Sequence, residues 1–240
     1  MRKRSLKVFV DFDGTITLED VGEAIFRKFG CAEKTNKIIE DLLSNKISSR
    51  QCWDELCNSV EYANRKELED FIDSLDVDPT FVPFVKFCGD NEIELIVLSD
   101  GFDFYIKRLF SKADLVGLKY YSNKLNVNED GKLTAKYPHY DSDSPTSANC
   151  KKNHIIDHSS DDDFTIYIGD GNSDKDAAQY CDFIFAKNDL LKYCSTERIS
   201  FYPFKNFIDV QNKIIELMNK RNLGKRHQAQ LKRKSAYLAE

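Results

Sequence analysis

Two carboxylates, Asp11 and Asp13, stand one residue apart directly after the apolar run Val8-Phe9-Val10, and Gly14-Thr15 follows. Acids at the end of a buried run are costly to keep there unless something neutralises them, and a divalent cation bound by oxygens does so. The pair can divide the labour, one as nucleophile and the other as general acid/base. At Gly14 the chain can turn sharply and bring backbone N–H groups near a bound anion. Two later segments repeat the pattern: Ile93 to Leu98 ends on Ser99-Asp100-Gly101, and Phe164 to Ile168 ends on Gly169-Asp170-Gly171-Asn172-Ser173-Asp174. Between them, Cys150-Lys151-Lys152 precedes a helical stretch. In open α/β sheets, ligands collect in the crevice beyond the carboxyl ends of the strands, where these residues would lie.

Taken in order, these segments resemble the four motifs of the haloacid dehalogenase superfamily, in the phosphatase branch that includes phosphoserine phosphatase. The resemblance covers about residues 7 to 187: Asp11-Phe12-Asp13-Gly14-Thr15 matches the first motif, Ser99 the second, Lys151 the third and Gly169 to Asp174 the fourth. It implies a Mg²⁺-dependent phosphomonoester hydrolase. In it Asp11 forms an aspartyl-phosphate, and Asp13 protonates the leaving group and then activates water. Ser99 and Lys151 hold the phosphoryl group, with Lys152 as the alternative lysine, and Asp174 orients its neighbours. The implied metal ligands are Asp11, the Asp13 carbonyl and Asp170. Gly14, Thr15, Asp20, Asp100, Gly101 and Asn172 are the implied substrate and phosphate contacts. Asp100 has a second reading as the cap of a helix beginning near Phe102, and Asn172 as a turn former.

The substrate implied is a small phosphorylated metabolite. Asp11 to Thr17, followed by Asp20 and joined by Cys150-Lys151, looks most like the methionine-salvage phosphatases, which act on a methylthio-ketopentenyl phosphate. Phosphoserine and phosphocholine/phosphoethanolamine phosphatases are the alternatives. Phosphoserine enzymes carry a cap arginine for the substrate carboxylate; here Arg50 falls early and Asp54 lies nearer that place, where it would repel a carboxylate. The non-enzyme alternative is a phospho-accepting receiver domain. Receivers are about half this length and lack an insertion after the first strand, which decides against that reading.

The elements that must position these residues follow from periodicity. Lys7–Val10, Ile93–Leu98, Phe164–Ile168 and Phe183–Ala186 read as buried strands. Glu19 to Asp78 carries helical spacing in about four segments, among them Val21/Ile25/Phe29 and Leu68/Phe71/Ile72/Leu75. The expected fold is an α/β, Rossmann-like doubly wound parallel sheet with a helical cap inserted after the first strand. Its core would comprise 1–18 and 79–219, the cap 19–78, and a basic tail 220–240. Helices are expected over Phe81–Cys88, Phe102–Leu109, Lys175–Tyr180 and Phe207–Met218, and strands over Leu115–Tyr121 and Leu125–Ala135, the latter turning at Asn128-Glu129-Asp130-Gly131. Tyr140 to Asn149 reads as a polar loop.

Composition sets the remaining bounds. The chain has 240 residues, 41% of them apolar, and no run near the length of a membrane span. The basic Met1-Arg2-Lys3-Arg4-Ser5 leads into an apolar run too short for a signal peptide, so the expected location is the cytoplasm. Seven cysteines, an odd number, fit reduced buried thiols. Cys150, His154 and His158 have a spacing that can hold zinc, but no fourth ligand beyond His139 presents itself, and helix-surface histidines are the plainer reading. From Lys220 to Glu240, seven Lys/Arg face one acid, so the net charge of −5 divides into +6 for the tail and −11 elsewhere. With one aromatic and no repeat, the tail reads as a solvated, frayed helix rather than a nucleic-acid arm. Neither nucleic acid nor membrane is an expected partner, and the expected state is a monomer or homodimer.

Overall fold

The computed structural model describes residues 5–238; the basic stretch Met1 to Arg4 lies outside them. In chain order the first elements are β1 (Leu6–Asp11), α1 (Val21–Phe29), α2 (Ala32–Leu43), α3 (Ser49–Ser59), α4 (Arg65–Asp73), α5 (Phe81–Asp90), β2 (Glu94–Phe102) and α6 (Asp103–Lys112). They are followed by β3 (Tyr120–Val127), β4 (Leu133–Lys136), α7 (Lys151–Asp157), β5 (Phe164–Gly169), α8 (Asp174–Ala178), β6 (Phe183–Ala186), α9 (Asn188–Thr196), β7 (Tyr202–Pro203), α10 (Phe207–Asn219) and α11 (His227–Tyr237). Residues divide into two compact units. One comprises the chain up to Asp11, Asp78–Leu98 and the chain from Lys151; the other comprises Phe12–Val77 and Ser99–Cys150.

The first unit is built on parallel strands in the order β2-β1-β5-β6-β7. Val8, Phe9 and Val10 are fully buried, as a central parallel strand covered on both faces requires. The register sets Asp11 opposite Leu98, and Val10 opposite Ile168, so β1 and β5 end side by side. Strand order departs in opposite directions from β1 toward β2 and β5. This is the switch point at which α/β sheets bind ligands. Helices α5 and α10 pack through Phe81, Phe84 and Phe207, with ring centroids 4.8 and 5.3 Å from Phe207. Helix α9 and the two-residue β7 are additions to the elements read from sequence.

The C-terminal helix corrects its sequence reading. Helix α11 packs on α7, and Arg233, only 1% exposed, bonds both carboxylate oxygens of Asp182 at 3.2 Å and Thr165 Oγ1 at 3.0 Å. Tyr237 OH donates to the carbonyls of Ile156 and Ser159. The basic composition concealed that Arg233 spends its charge within the fold, as does Arg226, whose guanidinium donates to the carbonyls of Ala178 and Gln179.

In the second unit the four helices expected between Glu19 and Asp78 are present as α1 to α4. Asp20 caps α1 by accepting from Glu23 N, Ser48 and Gln51 form a capping box on α3, and Asn64 caps α4. They do not close a unit alone: α4 packs on α6, α3 on β4, and α6 on β3. Two elements that the sequence reading placed in the core, α6 and the β3–β4 hairpin, thus group with the helices. The hairpin turns at Asn128–Gly131 as expected, with Gly131 at φ +76°. The expected strand at Leu115 does not begin until Tyr120. Asp114 at φ +57° ends α6, Leu115 N bonds back to Phe110 O, and Val116 is exposed, so this apolar stretch has no sheet face to bury.

All seven cysteines are free thiols, six of them buried. Among the described residues no helix is long and apolar enough to cross a membrane.

Candidate active site

At the adjoining ends of β1 and β5, the first unit gathers three carboxylates around one lysine. Lys151, the first residue of α7, donates to Asp11 Oδ1 at 2.6 Å, Asp174 Oδ1 at 2.7 Å and Ser173 Oγ at 2.9 Å. Its neighbour Lys152 points elsewhere, 3.8 Å from Asp176, which separates the two candidate lysines. Asp174 is fully buried; its Oδ1 also accepts from Tyr167 OH at 2.5 Å, and its Oδ2 from the backbone N–H groups of Asp170 and Gly171, both at 2.9 Å. Asp174 therefore fixes the fourth motif from within. Gly169 leaves room for it, since a Cβ there would stand 2.5 Å from Asp174 Oδ2. Asn188 Nδ2 holds the Asp170 carboxylate at 3.1 Å. Tyr167 and Asn188 escaped the sequence reading: the first looked like one more core residue of a strand, and the second lies beyond the motif.

The electrostatics of this cluster are unbalanced. Burial raises the Asp11 pKa well above the usual carboxylate range, and Asp174 raises it further, against the opposing pull of Lys151. Burial alone would lower the pKa of Lys151, but Asp11 and Asp174 outweigh it and hold it raised. Three carboxylates therefore share one small region with a single buried ammonium. Asp11, Asp170 and Asp174 each place an oxygen within 4.8 Å of the others, the one such metal-capable group among the described residues. An all-oxygen set of clustered carboxylates fits a hard divalent cation. Cys150, His154 and His158 form no such group, and His154 is buried rather than on the helix surface.

In the second unit the Asp13 carboxylate is held from two sides. Val21 N donates to Oδ1 at 3.1 Å, while Tyr105 OH and Ser99 Oγ both donate to Oδ2, at 2.9 and 3.1 Å. Burial pushes the Asp13 pKa up to about 6, against those donors and the backbone of Gly22, which act to lower it. Ser99 Oγ in turn accepts from Gly101 N at 2.9 Å. Gly101 has no room for a side chain: an added Cβ would overlap the Tyr105 hydroxyl and stand 2.7 Å from Asp13 Oδ2. Tyr105 is buried between Phe12 and Phe102, with centroids at 5.9 and 6.3 Å. Nothing in its sequence context set it apart from a core aromatic.

The remaining expected contact residues have partners within the protein. Gly14, at φ +72°, uses its N–H on Thr17 Oγ1 and the Glu19 carbonyl, so that donor closes the turn instead of facing an anion. Thr15 is buried with its N–H turned to Phe12 O. Asp20 is an exposed helix cap. Asn172 is exposed, and its carbonyl accepts from Lys175 N, the turn-forming role. Asp100 does not cap α6, because β2 runs on to Phe102; it accepts from Ser49 Oγ and from the N–H groups of Ala148 and Asn149 at 3.1 and 2.7 Å. Asp54 receives the Tyr137 hydroxyl at 2.6 Å, and Arg50 lies over the Tyr137 and Tyr140 rings.

Residues 6–203 match the family model described as "Putative Phosphatase". The chain is 33% identical over 234 residues to "Pdp3-interacting factor 1" of Schizosaccharomyces pombe, with 90% of this chain and 97% of that protein covered. It is 31% identical over 210 residues to a 2-hydroxy-3-keto-5-methylthiopentenyl-1-phosphate phosphatase of Bacillus cereus, covering 86% and 94%. Among solved structures, a phospho-aspartyl intermediate analogue of phosphoserine phosphatase superposes with TM-score 0.67 at 19% identity, over 88% of this chain and 99% of that one. A substrate-bound phosphoserine phosphatase gives the same TM-score at 18% identity, over 89% and 99%.

Proposed function

The chain belongs to the Putative Phosphatase family and is a phosphomonoester hydrolase of the haloacid dehalogenase type, and from that premise we propose an aspartyl-phosphate mechanism centred on Asp11. The observation that carries it is the bonding of Lys151 to both Asp11 and Asp174 at the ends of β1 and β5. Lys151 fixes the Asp11 carboxylate and places positive charge where a phosphoryl group would bind. Asp11 attacks phosphorus in line, the bond to the leaving oxygen breaks, and Asp13 delivers a proton to that oxygen. Asp13, now ionised, takes a proton from a water that attacks the same phosphorus. The Asp11–phosphate bond breaks, and inorganic phosphate leaves. A carboxyl poised at about 6 serves both steps near neutral pH. Ser99 turns its hydroxyl to a phosphoryl oxygen, and Asp174 positions Lys151 and the backbone of Asp170.

Asp11 and Asp170 are the proposed ligands of Mg²⁺, with the Asp13 carbonyl completing the set; Asp174 is occupied by four donors and orients. When bound, the ion neutralises the carboxylates and the phosphoryl oxygens. The helical insertion 19–78 acts as the cap that governs substrate entry. The relatives named 2-hydroxy-3-keto-5-methylthiopentenyl-1-phosphate phosphatases favour a small phosphorylated metabolite of that kind. The test is hydrolysis of 4-nitrophenyl phosphate with Mg²⁺, its loss with EDTA, and then a panel holding the methylthiopentenyl phosphate, phosphoserine, phosphocholine and phosphoethanolamine. Preference for the first supports the substrate reading; preference for another overturns it and leaves the mechanism standing.

A further inference from the structure

Asp13 Oδ2 takes two hydroxyl protons, one from Ser99 and one from Tyr105. Ser99 has a single proton to give. On the reading above, which this inference deepens, that proton turns to the phosphoryl group when substrate binds, and Asp13 loses one of its two holders. Tyr105 stays, because its ring is wedged between Phe12 and Phe102 and its hydroxyl fills the hollow left by Gly101.

We propose that Tyr105 is the positioning residue that keeps Asp13 aimed at the leaving-group oxygen after Ser99 has been diverted to the substrate. The two hydroxyls are redundant only while the site is empty. Val21 N anchors Oδ1 from the far side at 3.1 Å, so the carboxylate is clamped across its plane rather than held at one corner. Removing the phenolic oxygen leaves the ring packed but frees Oδ2 to rotate during the proton transfer. Misplacement of a catalytic group by about 1 Å can cost on the order of 10²-fold.

The test uses the full-length Tyr105→Phe protein with Mg²⁺ and three small aryl phosphates of increasing leaving-group basicity: 4-nitrophenyl, 4-chlorophenyl and phenyl phosphate. The parameter is kcat/KM, which covers steps up to departure of the phenol and not hydrolysis of the intermediate. The better the leaving group, the less it depends on a well-aimed acid. Tyr105→Phe is expected to lower kcat/KM most for phenyl phosphate, at least about fivefold more than for 4-nitrophenyl phosphate. The ratio between substrates does not depend on how much of the variant is folded, so partial misfolding cannot imitate the result. A loss uniform across the series, or none, overturns the proposal. Asp13→Asn separates the two levels: it should steepen the same series. If its series is flat, the acid/base assignment of Asp13 fails; if it is steep while that of Tyr105→Phe is flat, the role given to Tyr105 fails alone.

Discussion

Lys151 Nζ lies 2.6 Å from Asp11 Oδ1, and both side chains are almost wholly buried. A lysine is rarely taken so far from water, and here the charge is retained because Asp11 and Asp174 raise its pKa against burial. The pair is therefore part of the proposed reactive centre and part of the folded core.

Replacing Lys151 with Met should lower stability by about 3–5 kcal/mol, since it strands buried carboxylates without their counter-charge. The measurement is the denaturation midpoint at neutral pH. Added Mg²⁺ should recover part of the loss. A variant as stable as wild type would mean that the carboxylates are neutral in the resting protein.

Asp11→Asn should reduce 4-nitrophenyl phosphate turnover to below a few per cent of wild type, because an amide of the same size cannot attack phosphorus. The circular dichroism spectrum should be unchanged. Substantial residual turnover would assign the nucleophile elsewhere.

Mg²⁺ at 100 times its dissociation constant should stabilise the protein by about 2.7 kcal/mol, read as a thermal shift. Asp170→Asn should weaken that shift at every concentration. An undiminished shift would remove Asp170 from the ligand set.

Asp13→Asn should abolish turnover of poor leaving groups yet raise the melting temperature at pH 7.5. The folded pKa of about 6 lies above the ordinary carboxylate value of 3.8, so folding favours the protonated form. That preference is fully expressed below about pH 4 and is lost as pH rises through 6, so at neutral pH the ionised carboxylate costs up to about 3 kcal/mol. The advantage of the amide should accordingly shrink between pH 6 and 4. A melting temperature lower than wild type at pH 7.5 would show that the anion is better solvated than its burial implies.

Truncation after Arg221 should lower the melting temperature by on the order of 10 °C, because Asp182 would lose Arg233 inside the fold. The sequence alone suggested a solvated, frayed helix. Arg233→Met tests the ion pair without removing the helix, and should reproduce most of the loss.

What could be read from the sequence were features carried by local pattern. Apolar runs ending on Asp11, Ser99 and Gly169 gave β1, β2 and β5, and the spacing of Val21, Ile25 and Phe29 gave α1. Adjacency along the chain could not give partners distant in sequence. Tyr105 meets Asp13 across 92 positions, and Arg233 meets Asp182 across 51. Both were hidden by residue type, the first as a core aromatic and the second as one base among many. The second reading of Asp100, as a helix cap, fails because its carboxylate serves loop N–H groups 48 and 49 residues away.

The missing side chain of Gly101 ties that position to Tyr105 as a unit of inheritance. A Cβ at 101 would overlap the phenol oxygen and stand 2.7 Å from Asp13 Oδ2, so no other residue fits there while Tyr105 is in place. On the proposed mechanism a change at either position alone would disturb the hold on Asp13, so descendants of this chain should keep or exchange the two together.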